Sequence, residues 1–431
     1  MAIPQGRGEE APEPAGKQSL WANRDYVLLW SGQTISVCGS VVSQLAFPLL
    51  ILALTGSPAQ AGLVGGLRMV PYLLLSLPAG ALADRWDRKR AMIVCDLGRA
   101  AAMGSIPIAL VLGHLMIVQL YLVSLVEGTL MVFFSLSSTA AVPRVVGRDQ
   151  ITAAMGYSDA AYQTGFTIGP VLGGLLYSVG RFVPFIVDAI SYFASVVSLF
   201  FIKTDFQEER IAPSGSMRAE IGEGLRWLWN KELIRTMALL SAVAWIMLAP
   251  AYLTVIVLAH QQHASPSVIG LVSAAGGLGG VVGALTVSRL NKRLGFARMV
   301  IGAAWMWAFL WPLYAFAPNP VVLALITFGL FFTFPQYNVT QMSYRLQLIP
   351  DALQGRVNSV FRLLAFTGQP LGLWLGGALL QALGPRTAIM VLEIAPIGMA
   401  IASTMNRSIR NAPNRAVDLH ASSLEPADSY V

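Results

Sequence analysis

Charged residues are scarce in this chain of 431 residues, because Asp, Glu, Lys and Arg together make up only 12% of it. A soluble domain carries about 25% of such residues. Hydrophobic residues reach 55% and the mean hydropathy is +0.62, so most of the chain cannot face water. The composition excludes an ordinary soluble enzyme and predicts an integral membrane protein.

Cysteine is nearly absent as well. Cys38 and Cys95 stand far apart within apolar stretches, which gives neither a disulfide framework nor a metal-ligand spacing. The chain also has no P-loop, no dinucleotide fingerprint and no nucleophile motif. We therefore expect no metal, no cofactor and no enzymatic activity.

Long apolar stretches, by contrast, are frequent. A spanning helix needs about 20 mainly apolar residues, and lipid-exposed backbone must pair its own polar groups, which favours helices. Twelve stretches satisfy this requirement and predict an all-α protein with twelve transmembrane helices: 26–53, 61–83, 91–112, 117–140, 153–178, 183–202, 235–259, 267–288, 297–316, 321–344, 356–381 and 387–405.

The distribution of Lys and Arg predicts the orientation of these spans. Of the 29 basic residues, Arg68 and Arg99 lie inside spans, and only Arg181 and Arg386 fall in the connections on one side. Cytoplasmic connections carry the excess of basic residues. The protein is therefore expected in the cell (inner) membrane, with both termini in the cytoplasm. The net charge of +7 then reflects membrane topology rather than nucleic-acid binding.

Two patterns recur at about half the chain length. Ser57-Pro58 with Gly62-Leu63-Val64 returns as Ser265-Pro266 with Gly270-Leu271-Val272, and Pro170 with Gly173-Gly174 returns approximately as Pro370 with Gly376-Gly377. Six spans per half give both halves the same orientation, which predicts two six-helix repeats related by an axis along the membrane normal.

The connection between spans 2 and 3 is densely charged and reads Gly80-Ala81-Leu82-Ala83-Asp84-Arg85-Trp86-Asp87-Arg88-Lys89-Arg90. It resembles the loop 2–3 signature of the major facilitator superfamily, roughly G-x-L-A-D-R-x-G-R-K, with Asp87 where the family usually has Gly. The resemblance implies a cytoplasmic gate at Gly80, Asp84, Arg85 and Arg88 that latches the halves against the start of span 11. A basic loop that only sets topology is the alternative.

Span 5 carries Gly165, Gly169, Pro170, Gly173 and Gly174. Glycines four residues apart let another helix approach closely, and Pro170 removes a helix hydrogen bond. The stretch resembles the G-x-x-x-G-P-x-x-G-G motif of drug:proton antiporters, which implies export rather than import. Small-residue packing in a static bundle is the alternative.

Glu127 is the deepest acidic residue. It lies ten residues into span 4, about 15 Å from the end of the span at 1.5 Å per residue. An acid at the bilayer centre costs about 2.5–3.5 kcal/mol on insertion scales and needs a reason to be there. We interpret Glu127 as the leading candidate for proton coupling. The alternative is a structural ion pair with Arg68 or Arg99.

Other ionisable residues are weaker candidates. Asp188 and Asp159 are further candidates for proton coupling, but both lie close to span ends, which favours solvated or capping roles. Asp96 and Arg99 stand three residues apart and are expected to pair. Glu393 and Arg362 receive no role.

Residues 221–233 read as an amphipathic helix with Leu225, Leu228, Trp229 and Leu233 on its apolar side. Such a helix lies at the lipid interface or packs on the inner face of the protein, and the sequence leaves both possibilities open. It also leaves open whether aromatic residues of the second half line a cavity or face lipid, among them Trp245, Trp305, Trp307, Trp311, Phe334, Tyr337 and Trp374.

Several stretches resemble the superfamily branch of macrolide and enterobactin exporters: 23–30, 79–90, 225–228 and 353–364. This resemblance implies a secondary active exporter of an amphipathic drug, antibiotic or siderophore, driven by proton antiport. An importer, a facilitator or a transport-inactive receptor is the alternative. For the exporter, the expected partners are a small-molecule substrate, protons and the lipid bilayer, and the protein is expected to be a monomer. The expected division is a tail at 1–21, a bundle at 22–202, a linker at 203–234, a bundle at 235–405 and a tail at 406–431.

Overall fold

A computed structural model describes residues 19–83, 86–207 and 217–412. Within these ranges the chain is helical, with no strand, which confirms the all-α prediction. The helices are α1 Arg24–Thr55, α2 Pro58–Ala83, α3 Arg88–Val111, α4 Ile117–Val145, α5 Ile151–Val179, α6 Val183–Phe201, α7 Met217–Asn230, α8 Glu232–Gln261, α9 Pro266–Leu310, α10 Pro320–Leu348, α11 Gln354–Phe366, α12 Gly368–Leu392, α13 Ile394–Met405 and α14 Arg407–Arg410.

Eight helical segments of the described chain are long and apolar enough to cross a membrane. Two of them, Pro266–Phe316 and Gln354–Met405, have 51 and 52 residues, far more than one crossing needs. They break at Gly295 and Gly384, where φ is 74° and 75°, so each contains two spans. α2 and α5, with 26 and 29 residues, are also long enough to cross. The predicted twelve-helix fold is therefore confirmed.

Prolines explain two further breaks that the apolar pattern did not predict. α11 ends at Phe366, four residues before Pro370. α12 ends at Leu392, four residues before Pro396. In a continuous helix the residue four positions later would donate its N–H to the carbonyl of Phe366 or Leu392. Proline has no N–H to donate to that carbonyl, so the helix breaks there. The predicted spans 356–381 and 387–405 are consequently each built from two helical pieces.

The helices form two bundles with the same internal arrangement. In the first half, α1 packs against α5 and α6, α3 packs against α4 and α6, and α2 packs against α4. In the second half, α8 packs against α12 and α13, and α9 packs against α10 and α13. The halves meet where α2 contacts α12 and where α5 contacts α9, which is the arrangement expected of two repeats with parallel orientation.

The repeated glycines lie at these contacts between the halves. A Cβ atom added to Gly62 would overlap the carbonyl oxygen of Leu373, and one added to Gly377 would lie 2.7 Å from the carbonyl oxygen of Pro58. The second contact repeats this geometry, since Gly270 lies against the carbonyl of Pro170 in the same way. Its reciprocal partner is Gly174, which lies against the carbonyl of Pro266. The two repeated sequence patterns thus form two equivalent backbone-to-backbone contacts.

These contacts lie near one end of the bundle, where Gly56 and Gly113 make the turns after α1 and α3 with φ of 63° and 72°. We call this the opposite end. The end that carries Arg88, Arg144 and Arg345 is called the basic end.

Replacing Gly174 by Val is expected to separate the halves at the opposite end. Overpacking of this kind costs about 1–3 kcal/mol. The equilibrium between joined and separated halves at this end would therefore shift by roughly 5- to 150-fold. Copper-catalysed cross-linking between Ser178→Cys and Ser267→Cys, whose hydroxyl oxygens are 3.1 Å apart, measures the contact in a background without Cys38 and Cys95.

Gly156→Val provides the matched control on the same helix, because an added Cβ would meet nothing within 4 Å. It should keep the cross-linking of the parent protein. Unchanged cross-linking in a folded Gly174→Val protein would contradict this role for the glycine contact.

The charged connection between α2 and α3 is partly described. Asp84 and Arg85 lie outside the described residues, so the predicted latch at these positions, with Gly80 at the end of α2, stays a prediction. Asp87 caps α3 by accepting a hydrogen bond from the Arg90 N–H at 2.9 Å, which explains why the position that is usually Gly carries Asp here. Arg88 bonds within the first half, to the carbonyls of Ala140 at 3.2 Å and Phe206 at 3.1 Å.

The linker helix α7 packs on α8 and α11. Leu228 is fully buried, and Gly224 lies against the backbone of Arg356, the residue whose side chain pairs with Glu223. The side of α7 that carries Leu228 is therefore packed on the protein. Leu225 and Trp229 of the predicted apolar side are exposed, which leaves the lipid interface open as their environment, and Leu233 belongs to the next helix, α8.

Candidate functional site: a buried charge cluster in the first half

Five ionisable side chains from four helices lie together in the interior of the first half. They belong to α2, α3, α4 and α6, and hydroxyl groups of α1 join them. The members are Arg68, Asp96, Arg99, Glu127 and Asp188. Asp96 and Asp188 are completely buried, and Glu127 is 1% exposed.

Two glycines make this convergence possible. A Cβ atom on Gly128 would overlap the carbonyl oxygen of Arg68, so α2 and α4 approach closely beside Glu127. Gly39 does the same between α1 and α6, since its Cβ would collide with the Ser191 hydroxyl and lie 2.9 Å from Oδ1 of Asp188. Close approach of this kind is what small residues permit in membrane helices.

Glu127 is held between two guanidinium groups. Arg68 donates from Nη2 to Oε1 of Glu127 at 2.9 Å and pairs through Nε with Oε2. Arg99 donates from Nη2 to the same Oε1 at 2.9 Å. A carboxylate with two close cations is strongly favoured in its ionised form, so this geometry matches the structural ion pair that the sequence left as the alternative to proton coupling.

Arg99 joins the remaining members. It pairs with Asp96 at 3.4 Å, as predicted from their spacing. It also donates to the Tyr192 hydroxyl at 2.8 Å, and its guanidinium lies 4.1 Å from the centroid of the Tyr192 ring. Tyr192 in turn donates to Glu127 at 3.2 Å and is 2.8 Å from the Ser40 hydroxyl.

Asp188 differs from the other acids because its direct partners are hydroxyl groups. Ser43 Oγ makes a short hydrogen bond to Oδ2, and Ser191 Oγ lies 3.4 Å from Oδ1. Ser43 Oγ is also 3.0 Å from the carbonyl oxygen of Ser40. With an ionised Asp188, Ser43 must share its single hydrogen between the carboxylate and the carbonyl. A protonated Asp188 removes this competition, because it donates to Ser43 while Ser43 donates to the carbonyl.

The charges of the cluster lead to the same conclusion. With all five groups ionised, two cations face three anions. With one carboxyl group protonated the cluster is neutral, and neutrality strongly favours burial in a medium of low dielectric constant. Glu127 and Asp96 each contact an arginine directly, whereas the partners found for Asp188 are serines. Asp188 is the member best suited to carry the proton.

Two expectations about acids near span ends have different outcomes. The solvated or capping role expected for Asp188 is wrong, because the side chain faces α1 and is completely buried. Asp159 is exposed on α5, as expected for a solvated position. Distance along a helix did not distinguish the two residues, since depth does not specify which face of the helix a residue occupies.

Three hydroxyl residues of the cluster were missed from the sequence: Ser40, Ser43 and Tyr192. A signal was present, because Ser36, Ser40 and Ser43 follow a spacing of four and three residues along α1, which places them on one face. An apolar helix with one hydroxyl-lined face predicts a polar neighbour. Tyr192 stands four residues after Asp188 and shares its face of α6.

The aromatic residues of the second half divide into three groups. Trp307, Trp311 and Tyr337 are buried in the core, and Trp305 is 47% exposed on the outside of the bundle. Trp245 and Phe334 are half-buried and contact each other at 5.5 Å between ring centroids. Trp245 also contacts Phe366, which reaches Tyr72 of the first half at 5.8 Å, so this group lies between the halves.

Comparison with known proteins agrees with this fold and connects it to export. The chain is 25% identical over 384 residues to the multidrug efflux pump Tap of Mycolicibacterium fortuitum, with 86% of this chain and 93% of Tap covered. It is 28% identical over 390 residues to the enterobactin exporter EntS of Citrobacter koseri, with 85% and 87% covered. A shorter alignment with macrolide efflux protein A of Streptococcus pyogenes is 29% identical over 163 residues and covers 38% of this chain and 40% of that protein.

A solved structure supports the fold. The nucleoside transporter NupG superposes with a TM-score of 0.74 at 13% identity, covering 88% of this chain and 98% of NupG. The model of the transmembrane secretion effector family matches residues 18–429, nearly the whole chain. The predicted resemblance to the major facilitator superfamily is therefore confirmed: the chain belongs to the transmembrane secretion effector family and is a multi-pass membrane exporter of that superfamily.

Proposed function

We propose that this protein exports an amphipathic small molecule by proton antiport with alternating access, and that Asp188 carries the exchanged proton. The observation that supports this most is the position of Asp188: a completely buried carboxyl group with hydroxyl partners, next to an ion-paired cluster that is neutral only when one acid is protonated. Glu127 and the arginines around it then set the electrostatic environment of the site, and Asp159 remains outside it.

The path from Asp188 to the other half is short. Asp188 on α6 contacts Ser43 on α1. The neighbouring residue on α1, Val42, has its carbonyl 2.7 Å from where a Cβ of Gly173 on α5 would lie. Gly174 follows directly and contacts Pro266 on α9, in the second half. When Asp188 gains or loses a proton, its hydrogen bond to Ser43 on α1 changes. Because α1 packs directly on Gly173 of α5, this change would reach the contact between α5 and α9.

Alternating access is supported by the uneven contact between the halves. Close backbone contacts between the halves lie near the opposite end, at Gly62 and Gly174, whereas a Cβ atom added to Gly156, on the part of α5 toward the basic end, would meet open space. Because basic residues mark the cytoplasmic side, this conformation would be open to the cytoplasm. The same argument gives the proposed location, an inner membrane with both termini in the cytoplasm.

The substrate is proposed from chemistry and relatives together. Tyr72, Trp245, Phe334 and Phe366 form a half-buried aromatic group between the halves, and aromatic side chains are typical of pockets for apolar and aromatic ligands. The relatives are named for efflux of several drugs, of macrolides and of enterobactin. We retain the proposal of a monomer with two six-helix domains at 22–202 and 235–405.

Inverted membrane vesicles test the proposed activity. The interior is first acidified, and a macrolide, enterobactin or the fluorescent cation ethidium is then added. An antiporter should dissipate the pH gradient with at least one of these probes, and vesicles without the protein should not respond. Probe movement that persists after a proton-conducting uncoupler is added would indicate a facilitator, and no response to any probe would contradict the proposal.

A further inference from the structure

The linker helix α7 presents two different sides. One side is docked on the second half through Gly224 and the fully buried Leu228. Leu225 and Trp229, four residues apart, share a different face and are 42% and 50% exposed. These two side chains, with Gly222, Arg226 and Asn230, line an open groove of about 510 Å³. The docking of α7 on the protein therefore leaves an apolar surface without a described partner.

The position of this surface relative to the bilayer follows from the chain. α7 ends at Asn230, and the membrane-spanning helix α8 begins at Glu232, so Trp229 lies within about one helical turn of a membrane span. Trp is enriched where hydrocarbon meets lipid headgroups. Arg235 on the first turn of α8 donates to the Trp229 carbonyl at 2.9 Å and lies 5.8 Å from its ring centroid, which fixes Trp229 at this junction.

The charge around the surface is positive. Arg226 and Lys231 are exposed, and Arg235 is half-buried beside Trp229. A basic residue near an anionic membrane surface contributes about 1 kcal/mol of attraction, and amphipathic helices with an apolar face and basic flanks bind at the lipid interface. Two acidic residues stand nearby. Glu223 pairs with Arg356, and Glu232 is exposed on the first turn of α8, so basic side chains still outnumber acidic ones around the surface.

From these observations we infer that the face of α7 formed by Leu225 and Trp229 is a binding surface for anionic phospholipid, with Arg226 and Lys231 contacting the headgroup. The occupant is a phospholipid rather than a protein, because the groove combines an apolar side chain pair, cationic neighbours and direct continuity with a membrane span. Since the other side of α7 contacts Arg356 at the start of α11, lipid binding would also hold the basic end of the second half at the bilayer surface.

Spin labels test the burial of this face in reconstituted full-length protein. In a background of Cys38→Ala and Cys95→Ala, labels are placed at Leu225→Cys and Trp229→Cys. Glu223→Cys on the same helix is the control, because Glu223 is exposed, does not line the groove and faces Arg356. In nanodiscs that contain phosphatidylglycerol, labels at 225 and 229 should collide more often with oxygen than with a water-soluble nickel chelate. The label at 223 should show the reverse preference. Equal nickel accessibility at all three positions would overturn the inference.

Lipid titration tests the role of charge. Short-chain phosphatidylglycerol is added to the detergent-solubilised protein, and its apparent affinity is compared with that of short-chain phosphatidylcholine and of inorganic phosphate. The double variant Arg226→Gln/Lys231→Gln should bind phosphatidylglycerol about 30-fold more weakly, from about 1 kcal/mol per basic residue. Arg407→Gln/Arg410→Gln, a matched pair at the same end of the protein, should bind as the parent does. Equal losses in both double variants, or tight binding of phosphate alone, would overturn the inference.

Discussion

Asp188→Asn is expected to abolish export against a gradient while preserving exchange of substrate between equal concentrations on the two sides. Asn has the shape of a protonated Asp and can donate to Ser43 as the protonated acid would, so the buried cluster keeps its neutral form and its packing. The variant cannot release a proton, and the step that couples transport to the pH gradient is therefore lost. Proteoliposomes with an imposed pH gradient measure accumulation, and the same vesicles without a gradient measure exchange.

A matched control makes this result specific. Asp159→Asn is the matched control, because Asp159 is an exposed acid of the first half that lies outside the cluster, and it should keep accumulation. The probe is whichever of a macrolide, enterobactin or ethidium the parent protein moves. Accumulation by Asp188→Asn at the parent level would show that the proton is carried elsewhere. Loss of both accumulation and exchange, with Asp159→Asn intact, would indicate that Asp188 binds substrate instead.

Glu127→Gln is expected to destabilise the protein by about 3–5 kcal/mol, because removal of one partner from a buried ion pair leaves an uncompensated charge. Here the loss is shared by two arginines, since both Arg68 and Arg99 contact the Glu127 carboxylate. Thermal unfolding in detergent should therefore show a clear drop in midpoint. Asp188→Asn should have an unfolding midpoint close to that of the parent protein. The two acids are then distinguished by stability as well as by transport.

A rescue variant tests the reason for this loss. Replacing a buried ion pair by apolar residues of similar volume is often neutral or stabilising. Glu127→Met combined with Arg68→Met should therefore regain much of the lost stability, because Arg99 keeps Asp96 as its partner. If Glu127→Gln were as stable as the parent and lost only gradient-driven transport, the original interpretation of Glu127 as the proton carrier would be favoured over Asp188.

The fold was predictable because the membrane imposes simple rules on the sequence. Twelve apolar stretches, an asymmetric distribution of basic residues and two repeated patterns were enough for the spans and their division into halves. The glycines at 62, 174, 270 and 377 were visible as repeats, and their backbone contacts in the structure give the repeats a physical reason. Breaks such as those before Pro370 and Pro396 were missed because hydropathy averages over them.

The site was only partly predictable, because its members come from five helices and their faces are set by packing. The pairing of Asp96 with Arg99 followed from a spacing of three residues along one helix. The choice between Arg68 and Arg99 as partners of Glu127 could not be made from the sequence, and the structure shows that both take part. The burial of Asp188 depends on Gly39 and Ser43 of another helix, which no local pattern around Asp188 reveals.

The linker helix illustrates the same limit. Its periodicity predicted an amphipathic helix, and the structure contains α7 at that position. Periodicity groups residues by face, but a helix at the junction of protein, lipid and water has more than two environments. Leu228 and Trp229 are neighbours in the predicted apolar side, yet one is buried against the second half and the other is exposed.

The most direct test of the central claim is an infrared measurement of the protonation of Asp188 in the purified, reconstituted protein. A protonated carboxyl group has a C=O stretching band separated from the bands of carboxylates and peptide groups. The parent protein should show this band at neutral pH, and it should disappear in Asp188→Asn while remaining in Asp159→Asn. A parent spectrum without the band, or a band that persists unchanged in Asp188→Asn, would contradict the assignment of Asp188 as the proton site.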